Sequence, residues 1–193
     1  MGAGHVCPWW LGPLLVSPLR RLFESPERLL SPHVKPGMTV LEPGCGMGYF
    51  SLPLARLVGP DGKVICVDVQ PRMIEGLRRR ARRAGLLDRI EARVCTSGDL
   101  GLSAWSGRID LAVAIHTVHE VGDEGAFLGQ VAAALRPGGT LLILELRGHV
   151  GRDAFEATLR TAAGLGLVEK DRPAARRKLA ALLVKRDAPA PKI

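Results

Sequence analysis

The sequence predicts an α/β fold in which helices cover both faces of a mainly parallel sheet. From residue 38 onward the chain alternates short β-branched runs with helical patterns, which is typical of such sheets. The length of 193 residues and the hydrophobic share of 47% suit one ordinary domain with its core, and the chain is too short for two. We expect this domain at 38–187, after an N-terminal cap segment at 1–37 and before a disordered tail at 188–193.

Three strands and two helices are predicted in the first half of the domain. The strands are Val40–Glu42, Lys63–Val67 and Ile90–Cys95, and the helices that alternate with them are Tyr49–Val58 and Pro71–Ala84. The second helix has proline in its first turn and Gly85 just past its last residue, as helix ends prefer.

Four strands and two helices are predicted in the second half. The strands are Ile109–Ile115, Thr140–Leu146, Val168–Asp171 and Leu179–Lys185, and the helices are Asp123–Leu135 and Asp153–Gly164. A turn at 136–139 leads into the second of these strands. Because the last two strands are joined by a short polar segment, 172–178, we expect them to pair antiparallel at one end of the sheet.

The cap segment does not follow the alternation of strands and helices. Trp9 and Trp10 stand side by side in a chain with three tryptophans, and side chains of this size are expected to be buried. We interpret the segment as a cap laid over the open end of the sheet.

The chain is basic, with 27 Lys and Arg residues against 19 Asp and Glu residues and a net charge of +8. Such a balance permits a polyanionic partner such as RNA, and residues 78–83, RRRARR, form the densest patch. The same residues belong to a helical pattern with the apolar stripe Ile74, Leu77, Ala81 and Ala84. We therefore favour the interpretation that these arginines lie on the solvated face of a surface helix.

No segment resembles a membrane span, which needs roughly 20 apolar residues. The best candidate, Val6–Leu19, contains three prolines and has no Lys or Arg before it. We expect no membrane span and a cytoplasmic location.

A glycine-rich loop follows the first strand in the stretch VLEPGCGMGYF, residues 40–50. Its spacing, Gly44-x-Gly46-x-Gly48, differs from the dinucleotide-binding pattern G-x-G-x-x-G, because Tyr49 stands where the third glycine would be. Glu42 at the mouth of the loop would repel a pyrophosphate. It would attract S-adenosylmethionine, which carries an ammonium and a sulfonium and no phosphate.

Asp68 follows the second strand, at the same edge of the predicted sheet, where ligands of open α/β folds bind. Its carboxylate can accept charge-assisted hydrogen bonds from both hydroxyls of a ribose. Each acid alone has an ordinary structural alternative, in which Glu42 caps a neighbouring group and Asp68 only starts the next helix. Together with the glycines, the pair favours a ligand site.

Four stretches resemble, in order, the successive motifs of the class I S-adenosylmethionine-dependent methyltransferases. They are Glu42-Pro-Gly-Cys-Gly-Met-Gly48, Val67-Asp68-Val69, Asp110–Ile115 and Leu135-Arg-Pro-Gly-Gly139-Thr-Leu. The resemblance covers about residues 36 to 186 and implies a Rossmann-like, seven-stranded, mainly parallel sheet with the last strand antiparallel. More narrowly, His119-Glu120-Val121 and the stretch 145–150 are similar to a group of small prokaryotic methyltransferases without an assigned substrate, whose chains also begin with a Cys-Pro-Trp-like lead.

The resemblance also implies roles for the candidate cofactor residues. Glu42 would lie near the methionine ammonium, Asp68 on the ribose and Val69 against the adenine. The residues Gly44, Cys45, Gly46 and Gly48 would lie against the cofactor, and Gln70 and Ile115 complete this part of the site. The family commonly shows Gly-Asp directly after the third strand, whereas this chain has Cys95-Thr96-Ser97 there and Asp99 slightly later, so either Ser97 or Asp99 would meet the adenine amino group.

The acceptor side of the site is predicted after the fourth strand. This chain lacks the Asn-Pro-Pro-Tyr run of amino-group methyltransferases of nucleic acid there, and carries His116-Thr117-Val118-His119-Glu120 instead. His119 with Glu120 is a candidate oriented base, and His116 is a second candidate. The alternative, that His119 only pins the strand end to the following helix, stays open.

The four cysteines, Cys7, Cys45, Cys66 and Cys95, show no Cys-x-x-Cys spacing and are interpreted as buried thiols. His5, Cys7 and His149 could converge near the acceptor, but nothing in their spacing requires a metal, and we expect none.

The leading hypothesis is S-adenosylmethionine-dependent methyl transfer to a small molecule held between the strand ends and the cap. The alternatives are an RNA acceptor bound by the basic surface and a non-catalytic S-adenosylmethionine-binding protein. The sequence leaves the oligomeric state open.

Overall fold

The structure, a computed structural model, describes residues 9–11, 16, 25–174 and 178–186. In these residues seven strands form one sheet: β1 Thr39–Pro43, β2 Lys63–Asp68, β3 Ile90–Val94, β4 Ile109–Ile115, β5 Leu135–Leu146, β6 Leu167–Asp171 and β7 Lys178–Lys185. The helices are α1 Pro26–Leu30, α2 Ser51–Leu57, α3 Pro71–Arg83, α4 Glu124–Ala134 and α5 Arg152–Gly164. The strand order is β3-β2-β1-β4-β5-β7-β6.

Only β7 runs against its neighbours in this described sheet. It pairs antiparallel with β5 on one side and with β6 on the other, whereas β1 to β5 pair parallel with one another. The predicted fold class, including the antiparallel pairing of the last two strands, is confirmed.

The sheet separates two layers of buried side chains. One layer lies under α1, α2 and α3 and includes Val113 and Ile115 of β4. The other lies under α4 and α5 and includes Ala112 and Ala114 of the same strand. Because successive side chains of a strand point to opposite faces, a strand covered on both faces is apolar almost throughout, as β4 is.

One predicted boundary is wrong by several residues. β5 begins at Leu135, where the sequence predicted the end of a helix and a turn at 136–139. Leu135 pairs with Ile109, and after a register shift Thr140 pairs with Leu111. Gly138 lies in this stretch with φ of +71°, a conformation that glycine adopts without strain. The chain therefore bends here and continues to pair with β4 after the bend.

Asp110 ties three strands together at the opposite end from the site. Its carboxylate accepts a hydrogen bond from the backbone N–H of Thr39 at 2.8 Å and from Nε of Arg136 at 2.7 Å. These contacts join β1, β4 and β5, so two of the sequence motifs, those at 110–115 and 135–141, have a structural role here.

The arginines of α3 divide into two groups. Arg82 and Arg83 are exposed, as the apolar stripe predicted, and Leu77 on the opposite face is buried. Arg78 donates to the carbonyl oxygen of Ala92 at 2.6 Å, and Arg80 donates to that of Met47 in the glycine loop. Part of the basic patch therefore binds carbonyl oxygens of the chain itself.

The tryptophan pair is not buried as predicted. Trp9 is 42% exposed and Trp10 is 62% exposed. The guanidinium of Arg72, at the start of α3, lies 4.0 Å from the centre of the Trp9 ring. A cation over an indole face stabilises a ring that keeps contact with water, which explains how Trp9 can stay at the surface.

Parts of the sequence predictions lie outside the described residues. These are most of the cap segment, with His5 and Cys7, and the predicted tail at 188–193. Within the described residues, the helices are too short or too polar for any of them to cross a membrane.

Candidate active site

A cavity of about 590 Å³ opens at the carboxyl ends of β1, β2 and β4. The strand order reverses between β1 and β4, and open α/β sheets bind ligands at this point. The volume lies in the range of roughly 300–1,000 Å³ that small-molecule pockets occupy. The cavity is therefore the natural candidate for the predicted site.

The cavity gathers eleven of the thirteen residues that the sequence predicted for the site. They are Glu42, Gly44, Cys45, Gly46, Asp68, Val69, Gln70, Ser97, Ile115, His116 and His119. Gly48 and Asp99 do not line it. Val16, from the predicted cap segment, also lines the cavity.

The first two glycines of the loop serve different needs. A Cβ on Gly44 would stand 2.7 Å from the Thr117 hydroxyl, so this glycine lets the loop after β4 approach the loop after β1. Gly46 has φ of +53° and open space where a Cβ would stand, and its backbone N–H donates to Oδ2 of Asp68 at 2.9 Å. The main chain at Gly46 is consequently open to a ligand.

Gly48 packs against the protein and does not line the cavity. With φ of +83°, a Cβ there would stand 3.0 Å from Cδ1 of Leu52 and still closer to Cδ1 of Leu77. A glycine is therefore needed at position 48 so that the loop can approach α2 and α3 closely. The resemblance implied a different role for it, beside the cofactor.

Asp68 ends β2 and is held by two backbone groups. Its Oδ1 accepts from the N–H of Gln70 at 2.9 Å, and its Oδ2 accepts from Gly46. Burial raises the pKa of this carboxyl, and the two N–H donors oppose that shift. Because each carboxylate oxygen has a second lone pair, Asp68 can still accept hydrogen bonds from a ligand.

Glu42 is 4% exposed and lines the cavity, with its carboxyl beside α2. The Ser51 hydroxyl donates to its Oε2 at 2.5 Å, and the Cys66 thiol lies 3.7 Å from the same atom. Burial raises the pKa of Glu42 to about 8, although both hydrogen bonds act to lower it. The sequence predicted a charged group at this place, whereas burial keeps the carboxyl mostly neutral at pH 7.

The loop after β3 supplies Ser97 to the cavity. Asp99, the other candidate for this place, turns its Oδ1 to the backbone N–H of Gly101 at 2.8 Å. Val69, which is partly exposed, lines the same side of the cavity. The geometry thus favours Ser97 over Asp99.

The chemistry of these residues suits S-adenosylmethionine. The open main chain at Gly46 leaves room for the ligand to lie flat, and Asp68 supplies an acceptor for ribose hydroxyls. Glu42 supplies a carboxyl that a nearby cation would ionise. The apolar side chain of Val69 suits one face of an adenine.

His116 and Thr117 form the sharp turn after β4. His116 has φ of +56°, the only positive φ outside glycine in the described residues. Its backbone N–H donates to the carbonyl oxygen of Leu144 at 2.8 Å, and the Thr117 hydroxyl donates to that of Ile115 at 3.1 Å. Strained backbone of this kind persists only where neighbours hold it, and it clusters at functional sites.

His119 is bound to Glu145, which sequence reasoning did not assign to the site. Nδ1 of His119 lies 2.7 Å from Oε2 of Glu145, and the backbone N–H of His119 donates to Oε1 at 3.3 Å. The sequence offered Glu120 as the candidate partner, whereas the structure places Glu145 at Nδ1. Glu145 precedes the last residue of β5, and its place at the carboxyl end of a strand was the signal that could have identified it.

The described cysteines are free thiols. Cys45 and Cys66 are buried, and Cys95 is half-buried. Burial raises the pKa of Cys95 to about 11 and that of Cys45 well above its ordinary value. Among the described residues no group of three or more His, Cys, Asp and Glu side chains could hold a metal ion.

Comparison with known proteins identifies the family. The sequence profile described as "Methyltransferase domain" matches residues 34–176, so the chain belongs to this family. Together with the fold and the order of the motifs, this makes it a member of the class I S-adenosylmethionine-dependent methyltransferases.

Two curated relatives illustrate the range of the family. The chain is 32% identical over 152 residues to a ubiquinone biosynthesis O-methyltransferase of Methylocella silvestris, covering 75% of this chain and 57% of that protein. It is 34% identical over 147 residues to a ribosomal protein L11 methyltransferase of Pelotomaculum thermopropionicum, covering 75% of this chain and 43% of that protein. The chain thus spans about half the length of these relatives.

Solved structures share the fold at lower identity. A SAM-dependent methyltransferase from Aquifex aeolicus superposes with a TM-score of 0.83 at 22% identity, covering 93% of this chain and 99% of that one. A putative S-adenosyl-L-methionine-dependent methyltransferase from Methanococcus maripaludis has a TM-score of 0.76 at 16% identity, covering 94% of this chain and 92% of that one.

Proposed function

We propose that this protein transfers the methyl group of S-adenosylmethionine to a small-molecule acceptor. The observation that carries the proposal is a single cavity with two chemically different sides. One side has the acids Glu42 and Asp68 with the open loop at Gly46, and the other has His116 and His119.

The cofactor side would hold S-adenosylmethionine through residues of three strand ends. Asp68 accepts from the ribose hydroxyls, Glu42 balances the positive charge of the methionine end, and Ser97 and Val69 lie beside the adenine. When bound, S-adenosylmethionine supplies an activated methyl group on a sulfonium. The residues of the chain then have to align the acceptor and exclude water from it.

The acceptor side is better suited to a small molecule than to a polymer. The cavity lining includes Tyr49, Phe50 and Phe127 together with the histidines, and it consists mainly of apolar atoms. Val16 adds to the wall from the N-terminal segment. The name of the relative from Methylocella silvestris, an O-methyltransferase of ubiquinone biosynthesis, supports a small-molecule acceptor as well.

Calorimetry with S-adenosylmethionine tests the cofactor half. The wild-type protein should bind, and Asp68→Asn should weaken binding about 10- to 100-fold, because hydrogen bonds to a charged acceptor contribute about 1.5–3 kcal/mol. Asp61→Asn, at an exposed turn, is the matched control and should bind as the wild type does. Folded wild-type protein that binds no S-adenosylmethionine would remove the proposal.

Labelled S-adenosylmethionine separates the proposal from its two alternatives. The protein is incubated with the label and a fractionated cell extract, and we expect the label in small metabolites. Label in RNA would favour the RNA hypothesis, and RNA binding should then fall steeply with salt and with loss of the exposed Arg82 and Arg83. Label in neither fraction would favour a non-catalytic binding protein. The cytoplasmic location stays a prediction.

A further inference from the structure

A buried carboxylate holds His119 at two points. Glu145 is 2% exposed, and its two oxygens face the ring nitrogen Nδ1 and the backbone N–H of the same histidine. Glu145 is itself fixed in β5, where it pairs with Leu179 of β7. The His119 side chain, which is 23% exposed, lines the cavity.

This contact determines which nitrogen of His119 carries the proton. The backbone N–H of His119 donates to Oε1, and when the carboxylate accepts at both of its oxygens Nδ1 carries the hydrogen that Oε2 accepts. The lone pair of the neutral ring is then on Nε2, the nitrogen on the far side of the ring from Nδ1. A ring held in this way has a fixed orientation and a defined basic atom.

We propose that Nε2 of His119 is the general base of the reaction, that Glu145 is its positioning residue, and that the acceptor is the hydroxyl of a small phenol. This inference rests on the proposed function, because it assumes that methyl transfer takes place in this cavity. It assigns the acceptor atom as oxygen and replaces Glu120 with Glu145 as the partner of the base.

The chemistry of the base selects the acceptor class. Imidazole titrates near pH 6.5 and phenols near pH 10, so proton transfer between them is within reach of a base at neutral pH. An aliphatic alcohol is a much weaker acid than a phenol and loses its proton to such a base less readily, whereas a carboxylate acceptor would need no base. The aromatic side chains of Phe50, Tyr49 and Phe127 on the same cavity match a planar ring.

Methylation of a phenol oxygen breaks two bonds and forms two. The phenol O–H bond breaks and its proton goes to Nε2 of His119, while the oxygen electron pair forms the new bond to the methyl carbon. The electron pair of the broken sulfur–carbon bond stays on sulfur, which becomes a neutral thioether. The imidazolium, stabilised by Glu145, later releases the proton to water.

The ring nitrogens of His119 give a first test that does not depend on activity or on cofactor. Long-range ¹H–¹⁵N spectra of the full-length protein without added ligand should show Nδ1 protonated and Nε2 unprotonated when the ring is neutral. In Glu145→Gln the preference should be reduced, because the amide is a weaker acceptor and can also donate. A wild-type His119 with the hydrogen on Nε2 would overturn the proposal.

A series of phenols of graded acidity gives the second test. With labelled S-adenosylmethionine, His119→Gln should lose about 10²- to 10⁴-fold in kcat/KM for weakly acidic phenols. The loss should shrink as the phenol becomes acidic enough to be ionised without help. Glu145→Gln should lose about 10- to 100-fold with the same trend, as partners that orient a histidine do. Glu120→Gln should keep the wild-type dependence on acidity.

The outcomes separate this inference from the proposed function. If S-adenosylmethionine binds and phenols are methylated, but the wild-type to His119→Gln ratio is the same for every phenol, His119 is structural and the inference is wrong. The same holds if Glu120→Gln, and not Glu145→Gln, changes the trend. If S-adenosylmethionine binds and no phenol is methylated, the acceptor assignment is wrong. The proposed function itself is removed by failure to bind S-adenosylmethionine or by the absence of label in small metabolites.

Discussion

The Ser51 hydroxyl donates a hydrogen bond of 2.5 Å to Glu42 across the wall of the cavity. Ser51 is the first residue of α2 and Glu42 lies in β1, so the bond joins the strand and the helix that flank the glycine loop. Burial raises the pKa of Glu42 to about 8, the hydrogen bonds of Ser51 and Cys66 lower it, and the charge of Asp68 raises it further. The ligand-free protein therefore holds this carboxyl mostly in its neutral form.

The stability of the ligand-free protein should fall as the pH rises, and Glu42→Gln should reduce that fall. A carboxyl whose pKa is raised by folding stabilises the fold fully below its ordinary value of 4.5, and this contribution is lost as the pH rises through about 8. Thermal unfolding of both proteins between about pH 5 and pH 9 measures the effect.

The residual slope of the variant has more than one source. Burial raises the pKa of Asp68, which also makes stability fall with pH, and burial lowers the pKa of His33, which makes stability rise with pH. Unfolding temperatures of wild type and Glu42→Gln that stay parallel over this range would show that Glu42 is already ionised in the ligand-free protein.

The affinity for S-adenosylmethionine should rise with pH up to about 8 in a manner that depends on Glu42. The cationic ligand favours the ionised carboxylate, so binding below this pKa must release a proton and weakens by up to about tenfold for each unit of pH. Calorimetry of wild type and Glu42→Gln in the same series of buffers measures the effect. The amine of the ligand titrates equally in both experiments, so its contribution drops out of the difference between the two proteins. An identical pH dependence in the two proteins would exclude this coupling.

The fold followed from the sequence because its signals are local. Each strand and helix has its own apolar period and end residues, and β4 at Ile109–Ile115 was predicted to the residue. β5 was predicted less well, because the pairing of Leu135 with Ile109 joins segments that are distant in the chain. No local pattern carries that information.

The site followed from the sequence only where a motif lies on one loop. The cofactor side depends on residues that directly follow β1 and β2, and nearly all of them line the cavity. The partner of His119 was assigned to its neighbour Glu120, whereas the structure brings Glu145 from 26 residues away. A contact of this kind is set by the register of the strands, which composition and spacing do not show.

Gly46→Ala should weaken S-adenosylmethionine binding more than it lowers stability. The new methyl group would stand in the open space beside the ligand, and the positive φ adds a cost of about 1–2 kcal/mol to folding. Gly85→Ala is the matched control, since Gly85 has φ of +65° and open space but lies outside the cavity. Calorimetry and thermal unfolding should show equal losses of stability and a loss of affinity in Gly46→Ala alone.

Gly48→Ala should lower the free energy of unfolding by about 2–4 kcal/mol, from overpacking together with backbone strain. The methyl group would overlap with Leu77 of α3, a fully buried side chain. Leu77→Ala removes that overlap, so the double variant should be more stable than the sum of the two single changes predicts, by about 1–3 kcal/mol. Denaturant unfolding measures the cycle, and strict additivity would show that the clash is relieved elsewhere.

Trp9→Ala should weaken S-adenosylmethionine binding about 2- to 5-fold, which tests the predicted N-terminal cap. The contact between the Trp9 ring and Arg72 is an exposed cation–π pair and contributes about 0.5–1 kcal/mol. Arg72 lies two residues after Gln70, which lines the cavity, and Val16 of the same N-terminal segment lines it too. If this segment covers the site, loosening it exposes the bound ligand to water. Trp10→Ala, at the more exposed neighbour, is the control, and calorimetry that finds equal affinities for both variants would show that Trp9 holds no cap over the cavity.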